Sequence, residues 1–369
     1  MSAMTIRHIG ALGCLCATFA LGLACTGDDG TPKEVARLEV ALHRLAAVDL
    51  FSGSVLIAKN GRVIFRHAYG LADRQRRIPN TVDTRFRIGS MNKMFTALAI
   101  VQLVQARKVE LSDPLGNYLA DYPNKSVASK VTIRHLLSHT GGTGDIFGPD
   151  FYAHRDELRS IADYIRLYGK RGLEFEPGSR WAYSNYGFIL LGAVIEEVTG
   201  RSYYDYVRTH IFDPAGMTGS GSLPEDQAVP ERAVGYMKPP GTTKWVPNRH
   251  TLPYRGSSAG GGYSTVVDLA RFADALLSHK LLSREYTELL ITGKVEAFAG
   301  EKYAYGFEDR RDKRGNGSVG HGGGAPGMNG DLRIYPNSGY VVAALANMDP
   351  PAAQQVTSSV CTFVLSPPC

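Results

Sequence analysis

Gly89-Ser90-Met91-Asn92-Lys93-Met94-Phe95-Thr96-Ala97-Leu98-Ala99-Ile100-Val101-Gln102-Leu103-Val104 puts a hydroxyl and an amine three residues apart at the head of an apolar run. From Met94 to Val104 the run is too uniformly apolar for a surface helix, which predicts a buried helix with Ser90 at its mouth. Residues i and i+3 share a helix face, so Lys93 reaches toward the Ser90 hydroxyl. Gly89 supplies the backbone freedom that exposes the serine. The unpaired N–H groups of a first helical turn favour negative charge forming beside them. A nucleophile beside its activator, where an anion is stabilised, is what acyl transfer requires.

A serine followed three residues later by lysine occurs about once by chance in a chain of ordinary composition and this length, so the pair needs partners. Tyr183-Ser184-Asn185 precedes a second apolar run, Tyr186 to Ile195, and also reads as a helix-entry loop. Two other Tyr-x-Asn triplets, Tyr122-Pro123-Asn124 and Tyr335-Pro336-Asn337, carry a central proline and read as turns. His321-Gly322-Gly323, continued by Gly324-Ala325-Pro326-Gly327, is the third candidate: a stretch bare enough for a substrate to lie against the backbone, or else a flexible glycine turn. Gly256-Ser257-Ser258-Ala259-Gly260 satisfies G-x-S-x-G, the signature of a different hydrolase. It lacks the buried strand before the serine and the helix directly after it that a nucleophile elbow needs. Ser258 is read instead as part of a loop entering a helix capped near Ser264 or Thr265.

In this order and at these separations the three elements resemble the serine β-lactamase and penicillin-binding-protein superfamily, in the branch of class C β-lactamases, DD-carboxypeptidases and related esterases. Phe51 to Ile57, Thr84 to Ser90, His135 to Gly142 and Ser264 to Phe272 are similar to that branch as well, and the likeness runs from about Pro32 to about Asp349. It implies an α+β (α/β) fold, with an antiparallel sheet flanked by helices, a helical lobe inserted between its strands and a cleft between the lobes. Ser90 would then be the acylated nucleophile, Lys93 its neighbouring cation or base, and Tyr183 a proton shuttle. Asn185 would hold the substrate amide. Gly323 would lie against the substrate, and the backbone N–H groups of Ser90 and Gly324 would form an oxyanion hole. The resemblance implies a serine hydrolase acting on a peptide, amide or ester, with D-amino-acid peptidase or esterase activity favoured. A β-lactamase and a catalytically silent peptidoglycan-binding or sensor protein are the alternatives.

The third element departs from the penicillin recognisers, which carry a lysine where this chain has His321 and a hydroxyl residue where it has Gly322. Bringing a tyrosine from about 10 to about 7 needs roughly 4 kcal/mol. One cation about 4 Å away supplies roughly that much at an effective dielectric of about 20, before desolvation is subtracted. His321, with an ordinary value of about 6.5, adds little charge at neutral pH. Lys93 and Tyr183 therefore both stay open as the group that takes the serine proton. His321 is expected to make one hydrogen bond near Tyr183 and to leave the site less selective for anionic acyl donors.

With 369 residues, 44% hydrophobic and 21% charged, the chain is ample for a large core and ordinary for a globular enzyme. Arg7 and His8 followed by an apolar stretch to Ala24 read as an export signal over 1–24. Leu21-Gly22-Leu23-Ala24-Cys25 resembles a bacterial lipobox, so Cys25 is a candidate for lipidation and membrane tethering at the cell envelope or periplasm. Ordinary cleavage after Ala24 is the alternative. Residues 25–32 then serve as a linker. Cys361 and Cys369 are a candidate pair or two free thiols. No cysteine and histidine spacing suggests a metal, and no cofactor is expected. The net charge of +6 is scattered without an aromatic stripe, which argues against nucleic acid. A small-molecule or peptide acyl substrate is the expected partner.

Lys33 to Leu50 carries Val35, Leu38, Leu42 and Leu45 at helical spacing, and Ser54 to Arg66 reads as a hairpin around Asn60-Gly61. Strand patterns return at 328–335 and 339–345, joined by a turn at Pro336-Asn337-Ser338, before a last helix from Ala352. The catalytic domain is expected over 33–369, with a sheet lobe at about 33–88 and 255–369 and a helical lobe at about 89–254. Loops 144–155 and 237–255 are the candidates for lining the cleft, with Trp245 and Tyr254 in the second.

Overall fold

The computed structural model describes residues 32–298 and 300–365. The export signal, Cys25 and Cys369 lie outside them. Helix α1 (Pro32–Ala47) leads into strands β1 (Gly53–Lys59) and β2 (Arg62–Tyr69), which turn at Asn60-Gly61. Both turn residues have positive φ, 50° and 75°, which is the reason Asn-Gly marks such a hairpin. The remaining strands of the sheet come late in the chain: β3 (Val295–Phe298), β4 (Glu301–Tyr303), β5 (Glu308–Asp309), β6 (Val319–Ala325), β7 (Met328–Tyr335) and β8 (Tyr340–Ala346). Among the described residues they form one eight-stranded antiparallel sheet in the order β2-β1-β8-β7-β6-β5-β4-β3. The two ends of the chain therefore meet where β1 pairs with β8.

Strands β1 and β8 are apolar at nearly every position because both faces of the sheet are covered. With period two, Val55, Ile57, Val342 and Ala344 point to one side. There they pack with Leu38 and Leu42 of α1 and with Val356 and Val360 of the last helix, α5 (Ala352–Val360). Leu56, Ala58, Val341, Ala343 and Leu345 point to the other side, into the larger core. That core is built on α2 (Asn92–Gln105), α3 (Asn185–Thr199) and α4 (Val266–Leu277). The pairing of β1 with β8 leaves no room for a side chain at Gly53, whose β-carbon would stand 1.9 Å from the Leu345 carbonyl oxygen.

Helix α2 is buried on every side, as its uniform apolarity predicts. Phe95 meets Phe212 and Phe272 edge-on at 5.0 and 4.9 Å, an arrangement aromatic rings prefer over face-to-face stacking. Helix α3 starts at Ser184, whose hydroxyl accepts from Gly187 N–H at 2.9 Å, and stops at Gly200 in the left-handed region. Thr265 caps α4 in the same way. The two other Tyr-x-Asn triplets are turns: Asn124 caps a short helix, and Tyr335 ends β7. Cys361 is disulfide-bonded. No helix among the described residues is long and apolar enough to cross a membrane.

Candidate active site

Ser90 sits in a single 3₁₀ turn, Gly89–Met91, just ahead of α2. Gly89 has φ of +53° and backs onto Gly324, whose backbone nitrogen would lie 3.1 Å from a β-carbon there. The turn is therefore wedged against β6 and delivers the serine hydroxyl to a cleft of about 120 Å3. Gly260 closes the other side of Ser90. Gly324 lines the same cleft as Ser90.

Lys93 is completely buried, and its amine makes three hydrogen bonds. It donates to the Ala259 carbonyl at 2.5 Å and to Asn185 Oδ1 at 2.7 Å, and stands 3.3 Å from Ser90 Oγ, to which it donates as an ammonium and from which it accepts as a neutral amine. It also lies over the Tyr183 ring at 4.7 Å and the Phe188 ring at 5.5 Å. Burial pulls this amine down to about 7, against the opposing pull of the Asp145 carboxylate. Burial drives the Tyr183 phenol upward, away from phenolate, and the nearby Ser90 hydroxyl pulls it the other way. An amine that is half unprotonated near pH 7 and an intact phenol close to a serine can accept and pass on its proton.

Asn185 has both ends of its amide engaged. Oδ1 faces Lys93, and Nδ2 donates to Asp145 Oδ1 and Oδ2 at 2.9 and 3.0 Å. It therefore aligns the lysine before any substrate arrives, leaving part of its donor capacity for the cleft that it lines. Tyr183 and Asn185 flank the N-cap of α3, so the triplet is a helix entry that also brings both side chains beside Lys93.

His321 corrects one expectation. Its ring stands 6.4 Å from the Tyr183 ring, and the two side chains share no hydrogen bond. Its Nε2 pairs with the Tyr303 hydroxyl at 3.0 Å and its Nδ1 with the Gly322 carbonyl at 2.5 Å. Desolvation holds the imidazole down at about 4, outweighing the attraction of Glu308, whose Oε1 is 3.8 Å away. Gly323 also differs. A β-carbon there would meet the Ile88 carbonyl at 2.0 Å, so this glycine makes room for the turn that carries Ser90 rather than for substrate. The glycine-rich run is a strand, β6, and not a flexible turn.

From the two candidate loops, Ile146, Phe147, Phe151, Thr251 and Pro253 reach the cleft. Trp245 does not: it donates to Asp49 at 2.5 Å, between Arg74 and Lys238. Tyr254 lies under Arg159 at 4.8 Å. Ser258, the rival nucleophile, is fully buried against Gly192 of α3. Sequence reading missed Asp145, the Ala259 carbonyl, His139 and Tyr303. The last two lie in stretches with no chemical spacing of their own. Among the described residues no group of three or more His, Cys, Asp or Glu is arranged to hold a metal.

The sequence profile of the Beta-lactamase family matches residues 41–358. A crystal structure of a penicillin-binding protein from Bacillus halodurans is 35% identical, with a TM-score of 0.80 over 87% of this chain and 98% of that one. The D-stereospecific amidohydrolase of a Streptomyces species is 28% identical, with a TM-score of 0.73 over 88% of this chain and 97% of that one. The teichoic acid D-alanine hydrolase of Staphylococcus aureus (strain MRSA252) is 28% identical over 83% of this chain and 73% of its own length. The chain belongs to the β-lactamase family and is a serine hydrolase of the kind that includes the penicillin-binding proteins.

Proposed function

We propose that this enzyme transfers the acyl group of a D-amino-acyl ester, amide or peptide to Ser90 and then to water. The observation that carries the reading is the buried amine of Lys93, held 3.3 Å from Ser90 Oγ with no formal cation in the third motif. Lys93 takes the Ser90 proton as Oγ bonds to the carbonyl carbon, and the resulting oxyanion is held by the N–H groups of residues 90 and 324. The proton passes through the Tyr183 hydroxyl to the leaving oxygen or nitrogen as its bond to carbon breaks. Water then attacks the acyl-enzyme, gives its proton back along the same path, and Ser90 leaves protonated.

Asp145 supports the D-amino-acyl class. Its half-buried carboxylate stands behind Asn185 and, among the described residues, accepts from neutral donors, the Asn185 amide and the Ile146 and Phe147 backbone N–H groups. A substrate ammonium suits that charge. The relatives that act on D-alanyl and other D-configured groups fit the same class. The neutral His321 offers no partner to the carboxylate of a penicillin. We further propose that the protein is exported and tethered through lipid on Cys25, from the signal-like and lipobox-like stretches before residue 26.

Purified protein assayed against a D-alanyl ester, a D-Ala-D-Ala peptide, p-nitrophenyl acetate and nitrocefin tests the reading. The D-alanyl donors should have the highest kcat/KM and nitrocefin the lowest. Efficient nitrocefin turnover would overturn the substrate class. Absence of fluorophosphonate labelling at Ser90 would overturn the mechanism and favour a silent binder.

A further inference from the structure

Three buried side chains behind the cleft form one continuous chain of hydrogen bonds, and its direction is fixed at one end. Ser184 N–H donates to His139 Nδ1 at 3.1 Å. A backbone N–H can only donate, so His139 Nδ1 is an acceptor and its proton sits on Nε2. Nε2 faces the Tyr303 hydroxyl oxygen at 3.1 Å and must donate to it. The Tyr303 proton is then left to point at its other neighbour, His321 Nε2, at 3.0 Å. His321 must accept there, which places its own proton on Nδ1, aimed at the Gly322 carbonyl. His139, Tyr303 and His321 are 1%, 1% and 3% exposed, so no solvent stands in for a broken link. His139 itself sits in the left-handed region, at φ of +58°.

Resting on the hydrolase reading above, we propose that His139 and Tyr303 are positioning residues that lock His321 as its uncharged Nδ1–H form, so that the cleft presents no cation to a carboxylate on the acyl donor. A second proton on His321 would need Nε2, where the Tyr303 O–H already points. Turning that O–H away strands a buried proton, because the other neighbour of the oxygen, His139 Nε2, is itself a donor. The charged groups around His321 do not undo this. Arg333 of β7 at 2.8 Å and Arg310 at 3.0 Å hold Glu308 on β5 through Oε2, while its Oε1 accepts from Gly322 N–H and lies 3.8 Å from His321 Nδ1, so its charge favours a proton on the nitrogen where the chain already places one. Lys93 opposes a second cation, and desolvation opposes it more. Tyr183, on the cleft side, contributes only its ring. The same chain ties the backbone of the second motif to the third, through β4.

Two measurements test the lock independently. Long-range 15N–1H spectra of the wild-type protein should show His321 protonated on Nδ1 and His139 on Nε2, both unchanged from pH 5 to 8. Titration of His321 in that window, or the opposite tautomer at either ring, overturns the lock whether or not the enzyme hydrolyses anything. The second is the ratio of kcat/KM for p-nitrophenyl hydrogen glutarate to that for p-nitrophenyl acetate, in which the ionisation of Lys93 cancels. In wild type the ratio should be flat over the same range. In Tyr303→Phe, where water in the space of the lost hydroxyl relieves the desolvation and accepts from Nε2–H, it should rise about tenfold toward pH 5 as His321 gains a proton, and in Tyr303→Phe with His321→Gln it should be flat again. A folded Tyr303→Phe enzyme with a flat ratio overturns the claim on selectivity even where the tautomers are as stated.

Discussion

Replacing Asp145 with asparagine removes one negative charge and almost no volume, and isolates what tunes the Lys93 amine. Burial lowers that amine to about 7, and the Asp145 carboxylate works against burial. One amide separates the two charges: Lys93 Nζ is 2.7 Å from Asn185 Oδ1, and Asn185 Nδ2 is 2.9 Å from Asp145 Oδ1. With the width of the amide added, about 7 Å lie between them, and at an effective dielectric of about 20 the pair is worth roughly 2 kcal/mol. Water at the half-buried carboxylate screens part of this, leaving about 1.4 kcal/mol, or one pKa unit.

The assay is kcat/KM against pH with p-nitrophenyl acetate, which reports the free enzyme and carries no ammonium whose lost contact could mimic the effect. With Lys93 as the proposed base the neutral amine would be the working form, and wild-type kcat/KM should rise with pH through about 7. In Asp145→Asn the rise should move toward acid by about one unit. The asparagine carbonyl still accepts from Ile146 N–H and from the Asn185 amide, so the geometry is kept. An unmoved midpoint, or one displaced toward alkali, refutes the field ascribed to Asp145. A wild-type profile without an inflection near 7 refutes Lys93 as the base.

Lys93 should also cost stability. With a folded value near 7 against about 10.5 unfolded, the folded protein binds fewer protons across that window. The cost is full below 7 and gone above 10.5. Relative to Lys93→Met, wild type should therefore gain about 5 kcal/mol between pH 7 and 10.5 in urea unfolding, and a constant difference would contradict the buried amine. Tyr183→Phe should lower kcat by about 10²- to 10⁴-fold, and a loss under tenfold would remove the phenol from the proton path. Gly323→Ala drives a β-carbon into the Ile88 carbonyl and should cost about 1–3 kcal/mol in thermal melts while lowering kcat through the displaced Ser90 turn. Unchanged melting would show that the turn gives way. Burial raises the Glu308 carboxyl, but Arg333, His321 and Arg310 outweigh it and hold it at about 2. That stability is present above about 4.5 and lost as pH falls through 2. Acid unfolding of Arg333→Met should therefore begin at higher pH than that of wild type.

The parts of this molecule legible in the sequence are those where chemistry and periodicity coincide on a few neighbouring residues. Ser90 and Lys93 share a helix face, and Asn60-Gly61 admits one kind of hairpin. The alternation in β1 and β8 was hidden by burial on both faces, yet the runs were apolar enough to read as strands. Asp145, the Ala259 carbonyl, His139 and Tyr303 were illegible because each acts through a partner far away in the chain: Lys93 to Ala259 spans 166 residues, and His139 to Tyr303 spans 164. Nothing in a loop aspartate or a strand tyrosine marks it as half of a pair. His321 was legible as a member of the site and misleading as to its contact, because the sequence cannot show that a tyrosine from β4 has taken its Nε2.

The neutral imidazole changes which group does the work at Ser90. A lysine in the third motif would add a second cation beside Tyr183 and draw its phenol down toward phenolate, the direction that one charge alone achieves only marginally. With His321 uncharged that second pull is missing, and desolvation wins at both remaining groups. The same burial that raises the phenol lowers the amine, because each loses the water that stabilised its charged form. One physical effect thus pushes the two groups into complementary states, an amine ready to accept a proton and a phenol holding one to give. His321→Lys should therefore do more than add a binding charge for carboxylates. It should pull the phenol down and the amine further down, and displace the acid limb of kcat/KM below its wild-type position. A limb that stays in place while carboxylated substrates bind better would separate charge recognition from proton transfer in this cleft.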